Sequence, residues 1–221
     1  MAVENLTLRP QNIDALLFDL DGTLTDNMPL HRKAWRLFAE KYGIEFTDEW
    51  FHQNCSGKTS RAIITQLFGE VTPKQQDAFF AERFAFYETI FRESGKEIEG
   101  LTPFLQAVGE AGIQLALVTS GSPPTRELQL QHLKLDKKFP VIIGSENVER
   151  TKPHPEPFLR AAQALGVSAR RCVAFEDSPT GVLAACRAGM SIVGVLSTHT
   201  SEELLGIHAA INDYTEIRVA S

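Results

Sequence analysis

The chain has 221 residues, and its 43% hydrophobic and 23% charged composition excludes a disordered or fibrous polypeptide. A net charge of -6 argues against a nucleic-acid partner, which would require a basic face, although a few placed lysines or arginines still suffice to hold one small anion. No apolar run approaches the roughly 18 residues that would span a membrane, and the first ten residues lack the apolar stretch of a signal peptide. The three cysteines, Cys55, Cys172 and Cys186, are spaced for neither a disulfide framework nor a zinc site, so buried free thiols in a reducing cytoplasm are expected.

The first strong signal runs from Ile13 to Asp26. An apolar run, Ala15-Leu16-Leu17-Phe18, stops at two carboxylates one residue apart, Asp19 and Asp21, and Gly22 follows. This pattern predicts a buried strand ending in a chemically active turn. Thr23 and Asp26 each read either as turn or cap residues or as ligand contacts.

Residues 27–97 show no strand pattern and read as successive helices at 29–42, 48–54, 59–68 and 73–92. A parallel crossover needs only about a dozen residues, so this long segment reads as an inserted helical domain. Its aromatics, Trp35, Phe38, Phe79, Phe80, Phe84 and Phe86, are assigned to packing between helices.

Beyond residue 98, apolar runs at 113–119, 140–144, 171–175 and 191–196 alternate with helical patterns at 122–133, 155–165 and 179–188, each opened by proline. The expected fold is therefore α/β: a Rossmann-like doubly wound parallel sheet with an inserted α-helical cap. The core would comprise 1–26 and 98–221, and the cap 27–97.

Ligands of open parallel sheets bind beyond the carboxyl ends of the strands. The residues there are Asp19 and Asp21, Thr119 and Ser120, Thr151 and Lys152, and Glu176 and Asp177. Acids gathered at one point need a hard cation between them, and an all-oxygen donor set favours magnesium. Lys152, the Thr119 hydroxyl and backbone N–H groups could cradle a phosphoryl group beside it. No Gly-Lys-Ser/Thr phosphate loop is present, which argues against a nucleoside-triphosphate enzyme.

Four motifs in order, Asp19-Leu20-Asp21-Gly22-Thr23-Leu24-Thr25-Asp26, Val118-Thr119-Ser120-Gly121, Lys152-Pro153-His154-Pro155 and Phe175-Glu176-Asp177-Ser178, resemble those of the haloacid dehalogenase (HAD) superfamily. More narrowly, the chain is similar to the beta-phosphoglucomutase-like phosphatases, whose helical cap follows the first motif. The resemblance implies that Asp19 is the nucleophile and Asp21 the acid and base. It also implies that Asp19, Asp177 and the backbone carbonyl of Asp21 hold Mg2+ with support from Glu176. Thr119 and the N–H of Ser120 would bind the phosphoryl oxygens, and Lys152 would neutralise charge. His154, between prolines, reads as a surface residue.

In the cap, the resemblance points to His31, to Lys58 within a specificity loop from Gly57 to Arg61, and to Arg83 as substrate contacts. The mutases differ: they usually have Asp-Gly-Val where this chain has Asp21-Gly22-Thr23, a basic residue shortly after the second motif, and an arginine where Ser60 stands. The expected activity is hydrolysis of small phosphorylated metabolites, sugar phosphates foremost, with a beta-phosphoglucomutase as the alternative. A monomer or small homo-oligomer, without nucleic-acid or membrane partners, is expected.

Overall fold

A computed structural model describes residues 6–55 and 58–220, the side chain of His52 excepted. A short strand β1 (Leu6–Leu8) precedes β2 (Ala15–Phe18), after which four helices follow without a strand: α1 (Met28–Lys41), α2 (Asp48–Cys55), α3 (Ser60–Phe68) and α4 (Pro73–Ser94). Then come α5 (Leu101–Glu110), β3 (Gln114–Val118), α6 (Pro123–His132), β4 (Val141–Ile143), α7 (Glu156–Leu165), β5 (Cys172–Glu176), α8 (Pro179–Arg187), β6 (Ser191–Val195), β7 (Ala209–Ile211) and β8 (Ile217–Val219).

The main sheet is parallel with order β4-β3-β2-β5-β6-β7, and β1 pairs with β8 apart from it. β2 lies at its centre, with Phe18 in register with Leu117 of β3 and Phe175 of β5. All four residues of β2 are buried, as a strand covered on both faces requires. Leu16 and Phe18 face a cluster with Phe104, Leu105 and Tyr214, whereas Ala15 and Leu17 face Phe158, Ala161 and Val182 of α7 and α8. The alternation thus places helices on both faces, which is the doubly wound arrangement.

The inserted helices have an apolar centre of their own, built around Trp35, Phe38, Phe51, Ile63 and Ile64. A second cluster, of Ala34, Tyr87, Ile90 and Phe91, packs against Leu128 of α6 and so seats the cap on the core. The chain passes between the two regions twice, side by side: Asp26 donates its N–H to Lys96 O, Ile98 donates to Leu24 O, and Thr25 bridges Glu97.

The structure adds elements beyond those expected. α5 is one, and its Pro103 and Gly109 explain why no helical signal stood out, since both residues lower helix propensity. β1, β7 and β8 have three residues each, too short for a periodic signature. The cysteine expectation is corrected at one position: Cys55 and Cys172 are buried, but Cys186 is exposed on the outer side of α8. No described helix is long and apolar enough to cross a membrane.

Candidate active site

The ends of β2, β3 and β5, the loop after β4 and the inserted helices bring the sequence-predicted residues to one cleft under the cap. Asp19, Asp21, His31, Lys58, Arg83, Thr119, Ser120, Lys152 and Asp177 all line it. Glu176 is fully buried behind them. Gly57 lies outside the described residues.

The charges are organised around Lys152. Its Nζ donates to Asp19 Oδ1 at 2.6 Å, to Glu176 Oε1 at 2.5 Å and to Val118 O at 2.8 Å, which uses all three of its protons. Burial works against its charge, but the two carboxylates outweigh it and raise the pKa. One cation does not balance the acids around it. Oxygen atoms of Asp19, Glu176 and Asp177 lie within 4.8 Å of one another, and all three residues are buried. Burial, then repulsion from neighbouring acids opposed in part by Lys152, raises Asp19 well above the usual carboxylate range. Burial together with Glu176 pushes Asp177 up to about 7, despite the hydrogen bond it receives from Thr198. A site with surplus negative charge and only oxygen donors fits a hard divalent cation.

Two glycines let the backbone approach these acids. Gly22 has φ +76°, and a Cβ there would collide with Asp177 Oδ2. A Cβ on Gly181, in the first turn of α8, would run into the Glu176 carboxylate, which accepts from Ser178 Oγ at 3.2 Å. Gly22→Ala is expected to displace Asp177 and lower stability by about 1–3 kcal/mol, measured by thermal unfolding.

Asp21 has a different environment from Asp19. Its Oδ1 accepts from Asn27 Nδ2 at 2.6 Å, from Gln129 Nε2 at 2.7 Å and from His31 Nε2 at 3.0 Å. Arg83 Nη2 donates to the other ring nitrogen, His31 Nδ1, at 2.5 Å, so the ring proton sits on Nε2 and points at Asp21. Burial lowers the pKa of His31, consistent with a neutral ring, and Asp21 and Arg83 act on it in opposite directions. For Asp21, burial acts upward, but His31, Asn27 and Gln129 together hold the carboxyl well below its usual range.

The cap surrounds this cluster with flat surfaces. The His31 ring stacks on Tyr87 at 4.1 Å, and the Arg83 guanidinium lies 4.6 Å from the Trp35 ring and 5.1 Å from Tyr87. Arg83 is buried, its Nε has no hydrogen-bond partner, and burial depresses its pKa to about 10. On the core side, Thr119 Oγ1 accepts from Gly121 N at 2.9 Å, which fixes the turn after β3.

The arrangement and the order of its motifs agree with a family model for haloacid dehalogenase-like hydrolases, which matches residues 16–195. The chain belongs to that family. The hydrolase is 30% identical to the validoxylamine A 7'-phosphate phosphatase of Streptomyces hygroscopicus subsp. limoneus, over 91% of this chain and 94% of that protein. It is 32% identical to hexitol phosphatase A of Escherichia coli (strain K12), over 92% of each. The crystal structure of beta-phosphoglucomutase from Clostridium difficile matches it with a TM-score of 0.83 at 26% identity, covering 93% of both chains. The chain is therefore an enzyme, of the class of phosphoric monoester hydrolases.

Sequence reasoning missed several side chains of the hydrolase's cleft. Asn27 and Gln129 hold Asp21 and Thr198 holds Asp177, and none of the three lies in the segments quoted as motifs. Gln129 left a trace, a polar side chain between the buried Leu128 and Leu130. Asp26 turned out to pair with Lys96 at 2.8 Å, where the chain re-enters the core. Thr23 is fully buried, its hydroxyl without a hydrogen-bond partner. His154 is half-buried and accepts from Glu156 N at 3.2 Å, so the surface expectation is corrected to a loop-fixing contact.

Proposed function

We propose that the chain is a Mg2+-dependent phosphatase of small phosphorylated carbohydrates, with hexose monophosphates foremost, acting through an aspartyl phosphate. The observation that supports this best is the division of labour between Asp19 and Asp21. Asp19 faces Lys152 and the acid cluster, whereas Asp21 faces neutral donors from the cap and α6.

In the first half-reaction a carboxylate oxygen of Asp19 attacks phosphorus, the bond from phosphorus to the leaving-group oxygen breaks, and Asp21, ionised in the free enzyme, takes up a proton beside the bound phosphate dianion and donates it to that oxygen. In the second, water attacks the phosphorus of the aspartyl phosphate while Asp21 takes its proton, and inorganic phosphate and Asp19 are released. Because Oδ1 of Asp21 already accepts three hydrogen bonds, the proton is carried on Oδ2. Lys152 offsets the repulsion between nucleophile and phosphoryl oxygens, and Thr119 with the N–H of Ser120 holds those oxygens. Asp19, Asp177 and the carbonyl of Asp21, backed by Glu176, would hold the metal, which supplies further positive charge at the same oxygens.

Within the cap, Lys58 and Arg83 are assigned to the leaving group, whereas His31, expected there too, has both ring nitrogens engaged by Asp21 and Arg83 and is assigned to holding Asp21. The division into a core of 1–26 and 98–221 and a cap of 27–97 is supported by the paired crossings at Thr25 and Glu97. Hydrolysis is favoured over mutase action by Arg61, whose guanidinium is already bound to Asp77 at 2.6 Å and Gln76 at 3.0 Å on the exposed side of the cap. It is therefore poorly placed to clamp a second phosphate. Phosphate release from a panel of sugar monophosphates, with Mg2+ and with a chelator, tests the reading. Metal-dependent turnover of hexose phosphates is expected. Release of glucose 6-phosphate from beta-glucose 1-phosphate in excess of inorganic phosphate would replace it with the mutase.

A further inference from the structure

Gln129 has no exposed surface, and the mechanism above gives it no part. Its amide joins two distant segments. Nε2 donates to Asp21 Oδ1 at 2.7 Å, and Oε1 accepts from the Thr25 hydroxyl at 3.0 Å. The carboxylate dictates that orientation, because an amide oxygen turned toward Oδ1 at this distance would repel it. Thr25 is the residue that bridges Glu97 where the chain crosses between core and cap, and its hydroxyl also reaches Leu20 O at 3.1 Å.

The two oxygens of Asp21 are consequently unlike. Oδ1 is taken up by Asn27, His31 and Gln129. Oδ2 looks onto the turn after β3: a Cβ built on Gly121 would lie 3.3 Å from it and 3.1 Å from Thr119 Oγ1. That turn is where the phosphoryl oxygens would sit. Of the three donors, Asn27 immediately precedes α1 and His31 lies within it, so both belong to the entry to the cap. Gln129 alone comes from α6, whose Leu130 packs into the sheet's own core while Leu128 and Leu133 also meet the cap.

We propose that Gln129 is a positioning residue for the acid–base step. From a core helix it holds Asp21 in the rotamer that presents Oδ2 to the leaving-group oxygen, and it is itself held by Thr25 at the core–cap crossing. Without it, Asp21 keeps only donors that follow the cap, and Oδ2 loses its fixed direction. A general acid out of line by a fraction of an ångström transfers its proton poorly, while nucleophilic attack by Asp19 is unaffected. The inference rests on the acid–base role given to Asp21.

The test compares leaving groups through kcat/KM, which reports only the steps up to the first P–O cleavage. Gln129→Met keeps the length of the side chain and removes both hydrogen bonds. Gln129→Leu likewise removes both hydrogen bonds, with a branched apolar side chain. Both are expected to lower kcat/KM at least about ten-fold for a hexose 6-phosphate that the wild-type enzyme hydrolyses, because its alkoxide needs a proton as it leaves. For p-nitrophenyl phosphate, whose phenolate departs unprotonated, the loss is expected to stay below about three-fold. Equal losses on the two substrates, or no loss on the hexose phosphate, overturn the inference. Asp21→Asn is run alongside. If it shows the split and the Gln129 variants do not, only the inference fails; if it shows no split, the acid role of Asp21 itself fails.

Discussion

Asp19→Asn is expected to lower phosphate release by at least about 10^3-fold while leaving the metal-free protein as stable as the wild type or slightly more so. The amide has no charge with which to attack phosphorus, and no other carboxylate stands in for it. Glu176 is fully buried behind Lys152, and Asp21 faces the cap donors through Oδ1. The stability half of the expectation follows from the crowding of acids. Asp19 is raised well above its usual range by burial and by its neighbours, so its charge opposes folding in the absence of metal. A neutral amide relieves that repulsion, and Lys152 keeps its bond to Glu176. Phosphate release and thermal unfolding, measured on one preparation, check both halves. Retained turnover removes Asp19 as nucleophile, and a large loss of stability makes its role structural.

Lys152→Met is expected to have the larger effect on folding. Removing the ammonium leaves Asp19 and Glu176 without their shared partner in a largely buried site, and breaking a buried pair from one side costs about 3–5 kcal/mol. Activity falls as well, because the nucleophile and the phosphoryl oxygens lose the cation between them. The two losses respond differently to metal. Mg2+ binds the folded acid cluster and not the unfolded chain, so it is expected to raise the unfolding temperature of the variant more than that of the wild type. Activity stays low even with saturating metal. An unfolding temperature of the variant that does not respond to Mg2+ would remove Asp19, Glu176 and Asp177 as a metal site.

The chemistry was legible in the sequence because an open parallel sheet concentrates it. Asp19 and Asp21, Thr119 and Ser120, and Glu176 and Asp177 stand out as short polar breaks after apolar runs, and Lys152 follows in the loop after β4. The helical insertion was legible for a similar reason, since about seventy residues without a strand cannot be a simple crossover. What stayed hidden acts across the chain. Gln129 reaches Asp21 from α6, and Thr198 reaches Asp177 from the loop after β6 at 2.6 Å. Neither has a pattern of its own, because an amide or hydroxyl in a helix or loop is ordinary until the fold shows what it faces. Cys186 misled in the opposite way: its segment is apolar, but the helical turn puts the thiol on the outside.

Three consecutive residues of α6 face three destinations. Leu128 meets the cap, Gln129 meets Asp21, and Leu130 meets the sheet. Phe51 and Ile63, which line the cleft from α2 and α3, take no part in the hydrogen bonds around Asp21. On the proposed reading, α2 and α3 thus border the space for the leaving group without touching the proton-handling cluster. Substitutions at Phe51 and Ile63 are therefore expected to change which leaving groups fit while the hydrogen bonds to Asp21 stay in place.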